Sequence, residues 1–149
     1  MEIINKRYGF KYEGPDDYIY IGEEEYAKYN IDKDSTVGVF VKVEKDGSLT
    51  SLSINRDADV EDEYDYLSLI SLNMENMEKV GMKIVQYSHH NNGRGRIDII
   101  HSEFNGLAFI TYFTRISKIM VACSVEASQI KDIENNVIVD MFDSFEEID

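Results

Sequence analysis

The stretch MKIVQYSHHNNGRGRIDIIHSEFNGLAFITYFTRISKIMVACSVEA, Met82 to Ala127, decides the fold. Four strand-like runs stand in it end to end: MKIVQYSHH, RIDIIHSEF, LAFITYFTRI and KIMVACSVEA. Asn92-Gly93, Asn105-Gly106 and the short turn at Ser117-Lys118 separate them. Asn-Gly pairs favour the positive-φ turns of tight hairpins. Four consecutive strands joined so closely make an antiparallel meander. The central runs are apolar on both faces. In the last, Ile119, Val121, Cys123 and Val125 point one way, and Met120 and Ala122 the other. A sheet buried on both sides needs cover on both sides.

Two segments with helical spacing offer that cover. In DADVEDEYDYLSLISLNMENMEKVG, Tyr66, Ile70, Met74, Met77 and Val80 recur at intervals of four and three, one apolar stripe on a helix. Asp62, Glu63 and Asp65 suit the positive end of its dipole, and Gly81 suits its C-terminal cap. The spacing predicts a helix over 62–80. In SQIKDIENNVIVDMFDSF, Ile130, Ile133, Val137 and Met141 share a face that Ile138 and Phe142 widen, with Ser128 as the expected N-cap.

The first third of the chain reads as strands and turns. In RYGFKYEGPDDYIYIG, Tyr8, Phe10 and Tyr12 alternate with smaller or polar residues at the strand period. The chain turns at Gly14-Pro15-Asp16, and EEEYAKYNID gives one or two helical turns. STVGVFVKVEKDGSLTSLSINRD is a hairpin: Val37, Val39, Val41 and Val43 lead into Asp46-Gly47, and Leu49 to Ile54 return. No linker, repeat or composition shift divides residues 1–149, so the expectation is one α+β domain. It holds an antiparallel sheet of about six or seven strands with helices on both faces.

Charge and composition exclude several roles. The net charge of −14 opposes nucleic acid and anionic membrane surfaces, which demand Lys and Arg. The only cysteine, Cys123, permits no intrachain disulfide and reads as a buried thiol. No apolar run approaches the roughly 20 residues of a membrane span. MEIINKRYGF has no apolar signal region, so the expected compartment is the cytoplasm, although a chain whose leader had been removed would read the same way.

Candidates for chemistry are few. YSHHNNGRGR, Tyr87 to Arg96, gathers two histidines, two glycines and two arginines. Adjacent His89 and His90 on a strand point to opposite faces, and His101 is the only other histidine. Zinc wants about four ligands, and no HxH or HExxH spacing supplies them. A phosphate loop would precede a helix, whereas here the glycines precede a strand. The expected role is a polar hairpin tip in which Asn91, Asn92 and Gly93 turn the chain. Arg94 and Arg96 remain candidates for contact with an acidic partner. The acidic run Asp57 to Asp65 offers Asp57, Asp59 and Glu61 at alternate places, but lacks the glycine of a calcium loop and runs straight into a helix. It is expected to be a solvated loop. No GxSxG elbow or comparable nucleophile pattern occurs.

The segment YGFKYEGPDDY resembles the opening of the PsbP-like superfamily, Y-x-F-x-Y/F-x-x-P-x-x-W/Y, through Tyr8, Phe10, Tyr12, Pro15 and Tyr18. The hairpin, the one long helix, the meander and the closing MFDSF with Ser144-Phe145 follow the same order of elements. The resemblance implies an α/β/α sandwich without catalytic apparatus. Its members include a photosystem II extrinsic subunit, a Ran-binding transport factor, DcrB-type envelope proteins and adaptor chaperones, scaffolds that mostly bind other proteins. No residue-level functional motif of theirs is recognisable, so no site is carried across.

The expected function is therefore a non-enzymatic protein-binding module, an adaptor, chaperone or immunity-type partner, with no cofactor. The alternative is a protein that binds a small ligand or a divalent metal through His89, His90 or Asp57 to Glu61. Tyr18, Tyr20, Tyr26 and Tyr29 are dense for a polar segment, and tyrosine favours interfaces. They are candidate partner contacts together with Arg94 and Arg96. A second reading has these tyrosines capping one end of the sheet's core.

Overall fold

A computed structural model describes residues 1–92 and 95–148. Its centre is a seven-stranded sheet in the order β3-β4-β5-β9-β8-β7-β6. The strands are β3 (Ile19–Ile21), β4 (Thr36–Val43), β5 (Leu49–Asp59), β6 (Lys83–Asn92), β7 (Gly95–Phe104), β8 (Leu107–Ile116) and β9 (Ile119–Glu126). Every neighbouring pair is antiparallel. The expected meander is β6 to β9. A 3-10 helix, Glu23–Tyr29, joins β3 to β4.

Turn chemistry fixes the registers. Phe104 pairs with Leu107, leaving Asn105 and Gly106 as a two-residue loop with φ of 51° and 80°. Positive φ at both central residues matches the right-handed twist of the flanking strands. Ile116 pairs with Ile119 around Ser117, whose φ is 55°. At the β4–β5 loop the Asp46 carboxylate accepts from the Ser48 N–H and hydroxyl, and Gly47 supplies a φ of 87°. β6 and β7 stay paired through Asn91 with Arg96 and Asn92 with Gly95. The expected turn at Asn91, Asn92 and Gly93 is thus displaced: Asn91 and Asn92 still belong to the ladder. Gly93 and Arg94, which join the strands, lie outside the described residues.

α1 (Glu63–Lys79) covers one face of the sheet. Asp62 accepts from the Asp65 N–H at 2.8 Å, and Asp65 reaches back to the Glu61 N–H at 3.0 Å. This reciprocal cap satisfies N–H groups that have no partner inside the helix. Gly81, with φ of 92°, follows the C-cap. Tyr66 and Ile70 are buried against Ile100, Phe113 and Met120, with Met74 and Met77 half-buried beside them. Each such large apolar burial contributes on the order of 2 kcal/mol. Val80 leaves the expected stripe. It is 66% exposed because the helix has already ended.

The opposite face carries the larger core. Phe40, Leu52, Ile97, Ile99, Tyr112 and Cys123 pack there beneath Ile138, Val139, Met141 and Phe142 of α2 (Val137–Asp143). A second, three-stranded sheet completes this cover: β1 (Glu2–Asn5), β2 (Phe10–Glu13) and β10 (Glu146–Glu147), in the order β1-β2-β10. It brings in Ile3, Phe10 and Tyr12. Helices therefore stand on both faces as expected, and a small sheet shares the work with α2.

Three local expectations differ. The C-terminal helix begins after Asn136, not at Ser128; Ala127–Gln129 is only a 3-10 turn. Asp132 accepts from the N–H groups of Glu134 and Asn135, which fixes a turn that competes with helix. Asn136 then accepts from the Ile138 and Val139 N–H groups as the true N-cap. The acidic run does not begin as a loop: Asp57 and Asp59 lie in β5, where Asp59 pairs with Ile119. Tyr8 sits in the turn that precedes β2, not in the strand, and its hydroxyl donates to the Asp34 carbonyl.

Candidate functional site

Among the described residues, Asp98 is the only charged side chain that is fully buried. β7 delivers it to the face under α1. Four donors satisfy it there. Tyr66 Oη donates to Oδ2 at 2.6 Å, Arg96 Nε to Oδ2 at 3.1 Å and Arg96 Nη2 to Oδ1 at 2.8 Å, while Tyr87 Oη donates to Oδ1. The bidentate arginine offsets the carboxylate's desolvation. Burial, then the hydrogen bond and negative charge of Asp98, push the Tyr87 hydroxyl up to about 12. Burial and Asp98 raise Tyr66 further. The hydrogen bond to Asp98 raises the Arg96 guanidinium. With every lone-pair direction occupied and both phenols held neutral, this cluster is a clamp between β6, β7 and α1. Sequence reading did not single it out; the one available signal was an aspartate inside the apolar run RIDII.

Beside the clamp lies a cleft of about 610 Å³, lined by Glu63, Tyr66, Arg96, Arg115, Phe145 and Glu147 among others. It opens where the ends of β7 and β8, the start of α1 and β10 converge.

A second feature is an uncovered part of the main sheet. Across antiparallel strands, directly paired residues share a face. Ile19 pairs with Val41, Ile21 with Val39, and Val43 with Leu49. Their alternates Tyr20, Phe40 and Leu52 point into the larger core. The first set therefore faces the side on which α1 lies. α1 packs over residues of β6 to β9 and touches β5 through the Asn73 amide, which donates to Asp57 at 3.1 Å; Val39 is buried, whereas the outer members of the set are not. Ile19, Val43 and Leu49 are 60%, 59% and 67% exposed.

The candidate tyrosines scatter. Tyr26 is buried, and burial pushes its hydroxyl up to about 12. Tyr20 packs on Phe40 with the rings tilted and their centroids 5.5 Å apart, and Tyr18 packs half-buried against the same core under Lys42. Tyr29 alone of the four is exposed, with Lys28 over its ring. Arg96 holds Asp98, and Arg94 lies outside the described residues. His89 and His90 fall within β6; His90 Nε2 stands 3.7 Å from Asp143, on α2. Among the described residues no three His, Cys, Asp or Glu side chains converge as a metal site would need. No described helix is long and apolar enough to cross a membrane. Burial pushes the Cys123 thiol up to about 12, which leaves it unreactive at neutral pH.

No family model and no curated protein matches the chain. Among solved structures it is similar to cyanobacterial PsbP (CyanoP) from Synechocystis sp. PCC 6803, with a TM-score of 0.60 and 11% identity over 99% of this chain and 91% of that one. At that identity the likeness concerns the fold alone. The fold is PsbP-like, as the order of elements led us to expect.

Proposed function

We propose that this chain is a non-enzymatic protein-binding module, and that the open face of β3, β4 and β5 is its contact surface. The carrying observation is the exposure of Ile19, Val43 and Leu49 on a sheet face that α1 leaves bare. Contiguous exposed apolar patches with a polar rim mark protein interaction sites. Exposed Ser51 and Ser53 continue the same face and supply such a rim. Tyr29 is the most exposed of the tyrosine group, and half-buried Tyr18 and Tyr20 keep part of their surface for contact. The strongly acidic chain favours basic partners and speeds their encounter.

The test compares affinity capture by the wild-type chain and by an Ile19→Asp/Leu49→Asp variant. Both substitutions are solvent-facing, so circular dichroism and the unfolding midpoint stay near wild type. A stoichiometric protein retained by the first and lost by the second supports the proposal. Identical capture by both, or none by either, contradicts it.

A further inference from the structure

The 610 Å³ cleft carries charges of both signs that the chain does not use for itself. β7 and β8 pair Ile97 with Thr114, and the Thr114 hydroxyl donates to the Arg96 carbonyl at 2.8 Å. One step further along the register, Arg96 and Arg115 stand opposite each other on the face that carries Asp98. Like charges placed directly across a ladder are destabilising unless something offsets them. Asp98 offsets Arg96. Arg115 has no such partner: among the described residues it forms no ion pair, and its Nε only reaches the Ser117 carbonyl at 3.4 Å. The same cleft also carries the opposite sign. Glu63, in the first turn of α1, and Glu147, on β10, line the same cleft and form no ion pair among the described residues. Glu147 pairs in register with Phe10, a core-facing residue, which turns it toward this side of the small sheet. Tyr66 and Phe145 also line the cleft, and at 1% and 5% exposure they present only ring edges to it.

An unpaired cation and two unpaired carboxylates around one hollow with an apolar floor define the complement of a dipolar ligand. We propose that the cleft binds an apolar zwitterion, an α-amino acid or dipeptide with a large hydrophobic side chain. Its carboxylate pairs with Arg115, its ammonium with Glu63 or Glu147, and its side chain meets Ile116 and the ring edges of Tyr66 and Phe145. Arginine suits the first role because its planar fork matches a carboxylate. The site lies on another part of the molecule from the β3–β5 face, so each stands or falls alone.

The probes are L-phenylalanine, L-leucine and the dipeptide Phe-Leu, with N-acetylphenylalanine and phenylalaninamide as charge-blocked controls. Binding is read from amide chemical shifts of the full chain at millimolar ligand. The expected result is saturable shifts at Glu63–Tyr66, Arg115–Ser117 and Phe145–Glu147, with each blocked control about tenfold weaker, as loss of one charge-assisted contact predicts. Arg115→Gln and Glu147→Gln should each weaken binding by a similar factor without lowering the unfolding midpoint. The blocked controls use the wild-type chain, so the outcome does not depend on a variant folding. Tighter binding of the single amino acids assigns a free metabolite, and tighter binding of Phe-Leu assigns a peptide; both support the site. No shift with any probe, equal binding of the blocked controls, or shifts confined to other elements would overturn it.

Discussion

The Tyr66 hydroxyl donates to Asp98 Oδ2 across 2.6 Å, tying α1 to a strand thirty-two residues further along the chain. With Arg96 and Tyr87 closing on the same carboxylate, one buried charge holds a helix and two strands together. Removing it strands a guanidinium and two phenols. Asp98→Ala should cost about 3 kcal/mol of unfolding free energy, the scale seen when one partner of a buried pair is deleted. Asp98→Asn, which keeps acceptor oxygen but not charge, should cost less. Urea denaturation of the two variants measures both; an Asp98→Ala chain as stable as wild type would dissolve the clamp.

How much of this was legible in the sequence follows from range. The meander showed itself because Asn105-Gly106 and the alternation from Ile119 to Val125 are local signals. α1 did too, through its acidic first turn and its stripe at Tyr66 and Ile70. The small sheet did not, because β10 is two residues long and pairs with β2 from the far end of the chain. Helical spacing from Ile130 overreached because Asp132 holds the backbone in a turn and Asn136 caps the helix only at Val137. The fold thus came from period and turn chemistry. The clamp and the cleft depend on pairings between distant residues, which spacing alone does not carry.

Tyr12 and Gly38 make a packing pair that substitution can separate. A Cβ on Gly38 would clash with Tyr12 Oη, and among the described residues that buried hydroxyl has no hydrogen-bond partner. Gly38→Ala should cost about 1–3 kcal/mol through overpacking. Tyr12→Phe removes an unsatisfied polar atom and should be neutral or stabilising. The double variant should recover most of the loss, since the nearest Tyr12 ring atom, Cζ, stands 3.5 Å from that Cβ. Unfolding free energies of the three variants form the cycle, and strict additivity would refute the pairing.

Alkaline pH should destabilise the fold before it ionises the buried phenols. Burial raises the Tyr112 hydroxyl to about 12, as it does Tyr26, and raises Tyr12 and Tyr66 beyond that. The unfolded chain loses these protons near the ordinary tyrosine value of about 10. Above that value the native state binds more protons than the unfolded state, so unfolding free energy falls as pH rises. The contribution is complete below pH about 10 and is lost progressively toward the folded values. Urea midpoints measured from neutral pH to strong alkali should be flat and then fall. A midpoint that rises over the alkaline limb would contradict this.

Cys123 should ignore thiol reagents in the folded chain. It is fully buried in β9, and its thiol is held near 12 by desolvation. Ellman's reagent at mildly alkaline pH should titrate no thiol in native protein and one per chain in denaturant. Rapid reaction of the native protein would show that the core under α2 is open.

Asn136 should be the least replaceable residue of the C-terminal segment. It caps α2 through the Ile138 and Val139 N–H groups and donates to Tyr112 Oη at 2.8 Å. Asn136→Ala should cost about 1–2 kcal/mol, the upper range for a lost N-cap. Ser128→Ala should cost almost nothing, because Ser128 caps no α-helix. Equal effects at the two positions would restore the longer helix that spacing predicts.

The central claim is that α1 stops short of the far part of its sheet face and leaves Ile19, Val43 and Leu49 bare. A soluble paramagnetic agent acting on methyl-labelled Ile, Leu and Val reports this directly, because its relaxation effect follows solvent access. The methyls of Ile19, Val43 and Leu49 should relax strongly, while those of Ile70 and Ile100 stay protected. Protection of Ile19, Val43 and Leu49 to the level of Ile100 in the isolated monomer would contradict the account.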